Sequence, residues 1–222
     1  MSTPHDESAP SSESCCYLRT KEEACWWLKF SGVVITLALV AAAVVVGMAF
    51  SVIHDVKASV EDARLDTFAL YTANRRAGFF AGNISVAVAV RNPNWAMSIE
   101  YRKPLVADLV FFQRRLYKVT VVEDGQKQRR SRTRLHLLHA AWEVPSQVLD
   151  TAALEELEKQ NATGVFDLEM RLYGELKFLA HRKPRRVHLS CPLRLQVAPP
   201  GHEVVVFPPV ECVPFTPENI YF

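Results

Sequence analysis

The sequence predicts an all-β protein carried on one apolar helix: an antiparallel β-sandwich of about seven strands with one short helix, preceded by a single transmembrane helix. Three observations carry that expectation. Residues 32–53 contain no charged side chain, apolar and polar residues alternate through much of the chain beyond, and turn residues interrupt the alternation every ~8–12 residues. A chain of 222 residues holds one ordinary domain plus an addition, and a charged fraction of 23% argues against general disorder. Five cysteines are too few for a disulfide-dense scaffold, and eight glycines leave little for a glycine-rich phosphate loop. A formal net charge of +2 gives no electrostatic footprint for nucleic acid.

Taken in order, residues 1–28 have the Ser-, Pro- and acid-rich composition of a disordered tail. Residues 29–53 are the signal-anchor helix. Its charge-free run, GVVITLALVAAAVVVGMAFSVI, would rise ~33 Å as a helix and cross a hydrocarbon core of ~30 Å. Trp26 and Trp27 stand where an interfacial aromatic belt belongs, and Lys29 can snorkel to the head groups. The run is too long and begins too late for a cleaved signal peptide. Arg19, Lys21 and Lys29 before it, against Lys57 and Arg64 just after, favour a cytosolic N-terminus and an exterior C-terminal domain. Cys15, Cys16 and Cys25 then become juxtamembrane acylation candidates, and the glycosylation candidates Asn83 and Asn161 both lie on the exterior side. The expected location is the plasma membrane, with the endoplasmic reticulum or another endomembrane as the alternative.

Residues 54–64 (HDVKASVEDAR) read as a stalk continuing the helix out of the membrane, and the sandwich is expected over residues 65–198. Leu65–Tyr71 is its first strand, and Ile84, Val86, Val88 and Val90 mark the second. Leu105–Phe112, Leu116–Val122 and Thr133–His139 supply three more, with Asp124-Gly125 as a turn. A helix is expected over Thr151–Gln160, N-capped by Asp150 and followed by Gly164, with Leu154 and Leu157 towards the sheet. From Phe166 to Ala180 the even positions are apolar apart from Gly174, a bulge or bend, and charges fill most odd positions. After the turn His181-Arg182-Lys183-Pro184 the alternation resumes to Val197, so the two stretches form an antiparallel hairpin. The sum is a fibronectin-III-like sandwich. Residues 199–222 form a Pro-rich tail that either packs on it or is partly disordered.

The strand SVAVAV runs into Arg91-Asn92-Pro93-Asn94, and Tyr101 follows. With Leu109–Phe112, the helix and Gly164, the stretch VFDLEMRLYGELKF, and RRVHLSCPLRLQV with its Cys191, this order resembles the plant LEA-2 domain, also called the water stress and hypersensitive response domain. With a short tail and one span ahead of it, the chain is similar to an NDR1/HIN1-like protein over roughly residues 30–198. The resemblance implies a role in plant defence or abiotic stress through protein, membrane or cell-wall contacts. Asn92, Pro93 and Asn94 themselves read as a structural turn: both amides can bond nearby backbone, and Pro93 ends a strand. The segment Gln126–Arg134 is more basic, and the Pro-rich tail longer, than the family pattern needs.

Chemistry is sparse. GxGxxG, GxxxxGK(S/T), GxSxG, HExxH, CxxC and Asp-x-Asp are all absent from the sequence, so no enzyme, cofactor or metal is expected. His136 and His139 fall on opposite faces of a strand, which is poor for a shared metal. Cys191 faces inward and reads as a buried thiol, although an oxidising compartment would allow a Cys191–Cys212 bridge tying down the tail. Two basic groups are surface candidates: Lys127, Arg129, Arg130, Arg132 and Arg134, then Arg182, Lys183, Arg185 and Arg186. A solvated face is one reading of them; contact with anionic lipid or an acidic cell-wall polysaccharide is the other. Protein partners and homo-oligomers remain open. The second function class is a tethered lipid-binding or lipid-transfer module, because inward-facing residues read alike in a filled core and in a lined cavity.

Overall fold

The computed structural model describes residues 13–74, 77–197 and 208–216. It divides into two units, Met1–Val52 and Ile53–Phe222. The first contains helix α1 (Glu13–Ser51), whose segment Lys29–Ser51 is long and apolar enough to cross a membrane. Among its described side chains the large apolar ones are exposed, and Trp26 stacks on Phe30 with ring centroids 5.6 Å apart. The helix starts at Glu13, well inside the tail expected to be disordered to residue 28. No Gly or Pro interrupts the chain between Glu13 and Phe30, so nothing local stops the helix from extending backwards.

The second unit contains strands β1 (Lys57–Asn74), β2 (Ala77–Arg91), β3 (Ile99–Phe111), β4 (Arg114–Val122), β5 (Lys127–Gln128) and β6 (Thr133–Pro145). A 3-10 turn (Ser146–Val148) and helix α2 (Thr151–Thr163) follow, then β7 (Val165–Phe178), β8 (Arg185–Gln196), β9 (Val210–Glu211) and β10 (Val213–Pro214). One sheet has the order β6-β2-β1-β9; the other runs β10-β8-β7-β3-β4, with β5 also on β3. Setting aside the two-residue strands, three long strands pack on four, all antiparallel, in the order of a fibronectin type III sandwich. The all-β sandwich with one short helix is therefore the fold.

The alternating residues are the core. Ile84, Val86, Val88 and Val90 from β2 face Leu168, Met170, Leu172 and Leu176 from β7 and Leu189, Cys191, Leu193 and Leu195 from β8, all buried. One part of the interior is aromatic: Phe68 lies 4.7 Å from both Phe80 and Phe166, and 5.4 Å from Phe111, by ring centroids. These rings fill that region with side chains and leave no lined groove there. Helix α2 forms as expected, with Asp150 capping the Ala153 amide at 2.8 Å and Gly164 ending it in the left-handed region at φ 69°.

The stalk is a correction. Residues 57–64 belong to β1, paired with β2 from Lys57↔Arg91 onward, so the first strand of the sandwich begins at Lys57 rather than Leu65. Bulges between Val60 and Asp62 and between Leu65 and Thr67 explain why this was hidden. The buried positions run Ala58, Val60, Ala63, Leu65, Phe68, and two spacings of three erase the period-2 signature. Strand β3 likewise starts at Ile99, six residues before the expected Leu105, because a bulge between Lys103 and Val106 breaks its alternation. That bulge sits opposite Gly174, where an added Cβ would lie 3.0 Å from Leu105. The irregularity expected at Gly174 is thus in the partner strand, and the glycine makes room for it.

Candidate functional site

Asn92 and Asn94 form a buried polar hub. Asn92 Nδ2 donates to the Met97 carbonyl at 2.9 Å and the Arg129 carbonyl at 3.3 Å, and its Oδ1 accepts from Asn94 N at 3.1 Å and Asn94 Nδ2 at 3.0 Å. Asn94 then clasps the entering chain: its Oδ1 accepts from His54 N at 2.9 Å, and its Nδ2 donates to His54 O at 2.7 Å. Beside them, Tyr101 Oη donates to Gln128 Oε1 at 2.9 Å, while Gln128 Nε2 reaches the carbonyls of Val90 and Arg132. Burial holds the Tyr101 phenol neutral, with its pKa pushed up to about 12. The three-residue motif is more than a local turn, because it joins the residue-54 entry to the loop before β6. Gln128 went unrecognised in the sequence: it stands among basic residues, and only the β3 pairing turns it inward.

That hub organises a basic end. Ile99 of β3 pairs with Gln128 on one side and Phe178 on the other, so the 127–134 segment and the 181–186 turn flank the same end of the sandwich. Lys127, Arg129, Arg130, Arg132, Arg134, Arg182, Lys183, Arg185 and Arg186 are all exposed there. Arg185 pairs with Asp55 at 3.3 Å, both largely exposed. Lys127, Arg129, Arg130, Arg132, Arg182 and Lys183 have no acidic partner among the described residues. The structure therefore brings together two groups separated by about fifty residues of sequence, at the end where the chain enters from residue 54.

Cys191 and Cys212 form a disulfide. The tail crosses between the sheets at this point: β9 pairs with β1, β10 pairs with β8, and Cys212 N donates to Ala58 O at 3.0 Å. The described part of the tail, residues 208–216, thus packs on the sandwich; residues 198–207 and 217–222 lie outside the described residues. Phe215 continues over β8, its ring 5.6 Å from Tyr173 and 6.0 Å from His188. Asn161 is exposed on α2, whereas Asn83 is half-buried in β2 between Thr67 and Ala141, its Oδ1 without a hydrogen-bond partner. Cys15, Cys16 and Cys25 belong to the α1 backbone, and their side chains lie outside the described ones. His139 contacts Ser85 Oγ on the outer face, at 3.1 Å, and His136 is half-buried opposite Val88, so the two do not converge. Among the described residues no group of three His, Cys, Asp or Glu side chains could hold a metal ion.

A groove of about 380 Å³ crosses the outer face of the β8-β7-β3-β4 sheet. Three cross-strand rows build it: Lys103–Glu175–Arg186, Val106–Tyr173–His188, and Lys118–Asp108. Arg115, Gly174 and Pro104 complete the lining, Pro104 at the bulge of β3. Lys103 pairs with Glu175 at 3.1 Å and Arg115 with Asp108 at 3.8 Å. Burial raises the Asp108 pKa against the pull of Arg115, and its Oδ1 has no hydrogen-bond partner. Burial also lowers the His188 pKa, helped by Arg186, and its Nδ1 has no partner. The outward charges of these strands were legible as alternation, but which of them share a row depends on register.

No family model matches the chain, and no curated protein does. Solved structures to which the chain is similar include a solution structure and a crystal structure, both at low identity. A solution structure from Arabidopsis thaliana shares 15% identity at a TM-score of 0.37, covering 65% of this chain and 83% of that one. A crystal structure from Archaeoglobus fulgidus shares 8% identity at 0.29, covering 60% and 95%. Both scores fall below 0.5, so the fold rests on the strand order described above.

Proposed function

We propose that the chain is a non-enzymatic, single-pass membrane protein of the LEA-2, NDR1/HIN1-like kind. Its sandwich lies outside the cell, and its basic end engages anionic lipid head groups as part of a plant defence or stress response. The observation that carries this reading is the gathering of two basic stretches at the end where the chain enters. The apolar helix ends at Ser51 and the hub holds His54. The hub that holds His54 also bonds the Arg129 carbonyl, so the chain enters the sandwich beside the basic 127–134 segment. Near a leaflet rich in phosphatidylserine each Lys or Arg contributes ~1 kcal/mol, and an exterior surface carrying anionic head groups would attract the basic end in the same way. The order of the sequence motifs around Asn92-Pro93-Asn94 supports the family reading, and the three-on-four sandwich agrees with it.

Hydrogen exchange of the full chain in nanodiscs tests the contact. Residues 127–134 and 181–186 should exchange more slowly in discs containing phosphatidylserine than in pure phosphatidylcholine. Charge reversal of Arg129, Arg130, Arg182 and Lys183 should erase the difference. Equal exchange in both lipids would sink the reading and leave an acidic polysaccharide as the partner to try.

A further inference from the structure

We propose that the groove on the outer face of the β8-β7-β3-β4 sheet binds a small organic anion with a flat apolar body, an aromatic carboxylate. This goes beyond the lipid contact, since the groove lies along the sheet face and its residues, Arg186 apart, are not those of the basic end.

The size is right: about 380 Å³ falls within the ~300–1,000 Å³ typical of small-molecule sites. So is the chemistry. Val106, Pro104 and Tyr173 give the groove apolar and aromatic surface, and Tyr173 is held edge-on to His188 at 5.5 Å and to Phe215 at 5.6 Å. Around that surface stand four cations and two carboxylates. Lys103 and Arg115 are taken up by Glu175 and Asp108. Among the described residues Lys118 and Arg186 have no salt-bridge partner, and four cations against two carboxylates leave two positive charges for a ligand. A carboxylate suits them, because a charge-assisted hydrogen bond is the strong kind and the groove is already short of negative charge. A flat body suits the rest, because aromatic rings stack or meet edge to face at little entropic cost. Contacts on the outer face hold two side chains at the groove in place. Asp108 is anchored by Arg115, and Phe215 is fixed by the β10 pairing and by its own amide, which donates to His188 O at 3.2 Å.

Equilibrium dialysis of the full chain in phosphatidylcholine nanodiscs, against empty discs, tests this with 2-naphthoate as the probe. We expect saturable binding, weaker by about tenfold for neutral 2-naphthylmethanol, which lacks the charge-assisted contacts. Inorganic phosphate, a charge without the body, should displace naphthoate poorly. The paired reversal Lys118→Glu with Arg186→Glu should weaken naphthoate by about tenfold or more, and Lys118→Gln with Arg186→Gln by less. An equal charge change placed elsewhere, Lys159→Glu with Arg64→Glu, should leave binding alone. Absence of saturable binding overturns the proposal. So does equal affinity for acid and alcohol, or a reversal at Lys118 and Arg186 that matches the distant control. The exchange experiment turns on Arg129, Arg130, Arg182 and Lys183, none of which lines the groove, so the two proposals fail separately.

Discussion

Single residues decide more here than their surface neighbours suggest. Asn92 is fully buried and serves two carbonyls and two Asn94 donors. Removing it takes the side-chain partner from the Met97 carbonyl and the Asn94 amide in a buried place, which costs ~2–4 kcal/mol. Asn92→Ala should lower the unfolding free energy of the full chain, read from urea titration, by that amount, and Asn92→Asp should also destabilise, since it cannot donate. A change under ~0.5 kcal/mol would mean that the hub is ornamental. Tyr101 gives a pH signature. Its phenol has a folded pKa of about 12 against the ordinary value of 10.0. The neutral phenol is therefore preferred in the fold. Its contribution is complete below pH ~10 and falls by on the order of 2–3 kcal/mol as pH rises to ~12. Unfolding midpoints at rising alkaline pH should show that slope, and Tyr101→Phe should flatten it.

At the scale of elements, close packing between strands sets the tolerance to change. The clearest case is Gly82 in β2, paired with Trp142 of β6. A Cβ at Gly82 would stand 2.1 Å from the buried indole, so even alanine must push the ring aside. Gly82→Ala should cost ~1–3 kcal/mol by overpacking and alter the near-ultraviolet circular dichroism of Trp142. Unchanged spectra and stability would show that the indole has room to move. The same scale explains what was readable beforehand. Strands β2, β7 and β8 carry uninterrupted alternation and emerged where their apolar residues placed them. The starts of β1 and β3 did not, because each contains a bulge, and a bulge flips the face of every later residue while leaving the composition unchanged. The basic groups were visible as sequence runs. The groove was not, since Lys118, Asp108, Tyr173 and His188 come from separate strands and only the register aligns them.

For the whole molecule, the tail closes one side of the sandwich. Cys212 lies 21 residues from Cys191, and between the sheets β9 and β10 each add a short pairing. Closing a loop of this length stabilises by ~3 kcal/mol. Cys212→Ser should lower the melting temperature of the full chain and expose residues 208–216 to limited proteolysis. A melting temperature insensitive to both this change and reductant would show that strand pairing alone holds the strap. Orientation across the membrane is tested by glycosylation. An exterior sandwich predicts an endoglycosidase-sensitive mobility shift lost in Asn161→Gln, since Asn161 is exposed on α2. Asn83→Gln should change it little, because that side chain sits half-buried between two strands. Absence of any shift would count against the exterior placement.

The sequence by itself determined the apolar helix, the all-β class, the helix α2 with its two caps and the hairpin of β7 and β8. These features are encoded by charge-free length, by period-2 alternation and by capping residues, all of them local. Only the tertiary structure decided that residues 57–64 are strand, that Gln128 is buried, that the two basic stretches share one end, and that a groove crosses the outer sheet. Each of these depends on register and on which strands become neighbours, and pairing between distant segments leaves no periodic trace in either segment alone.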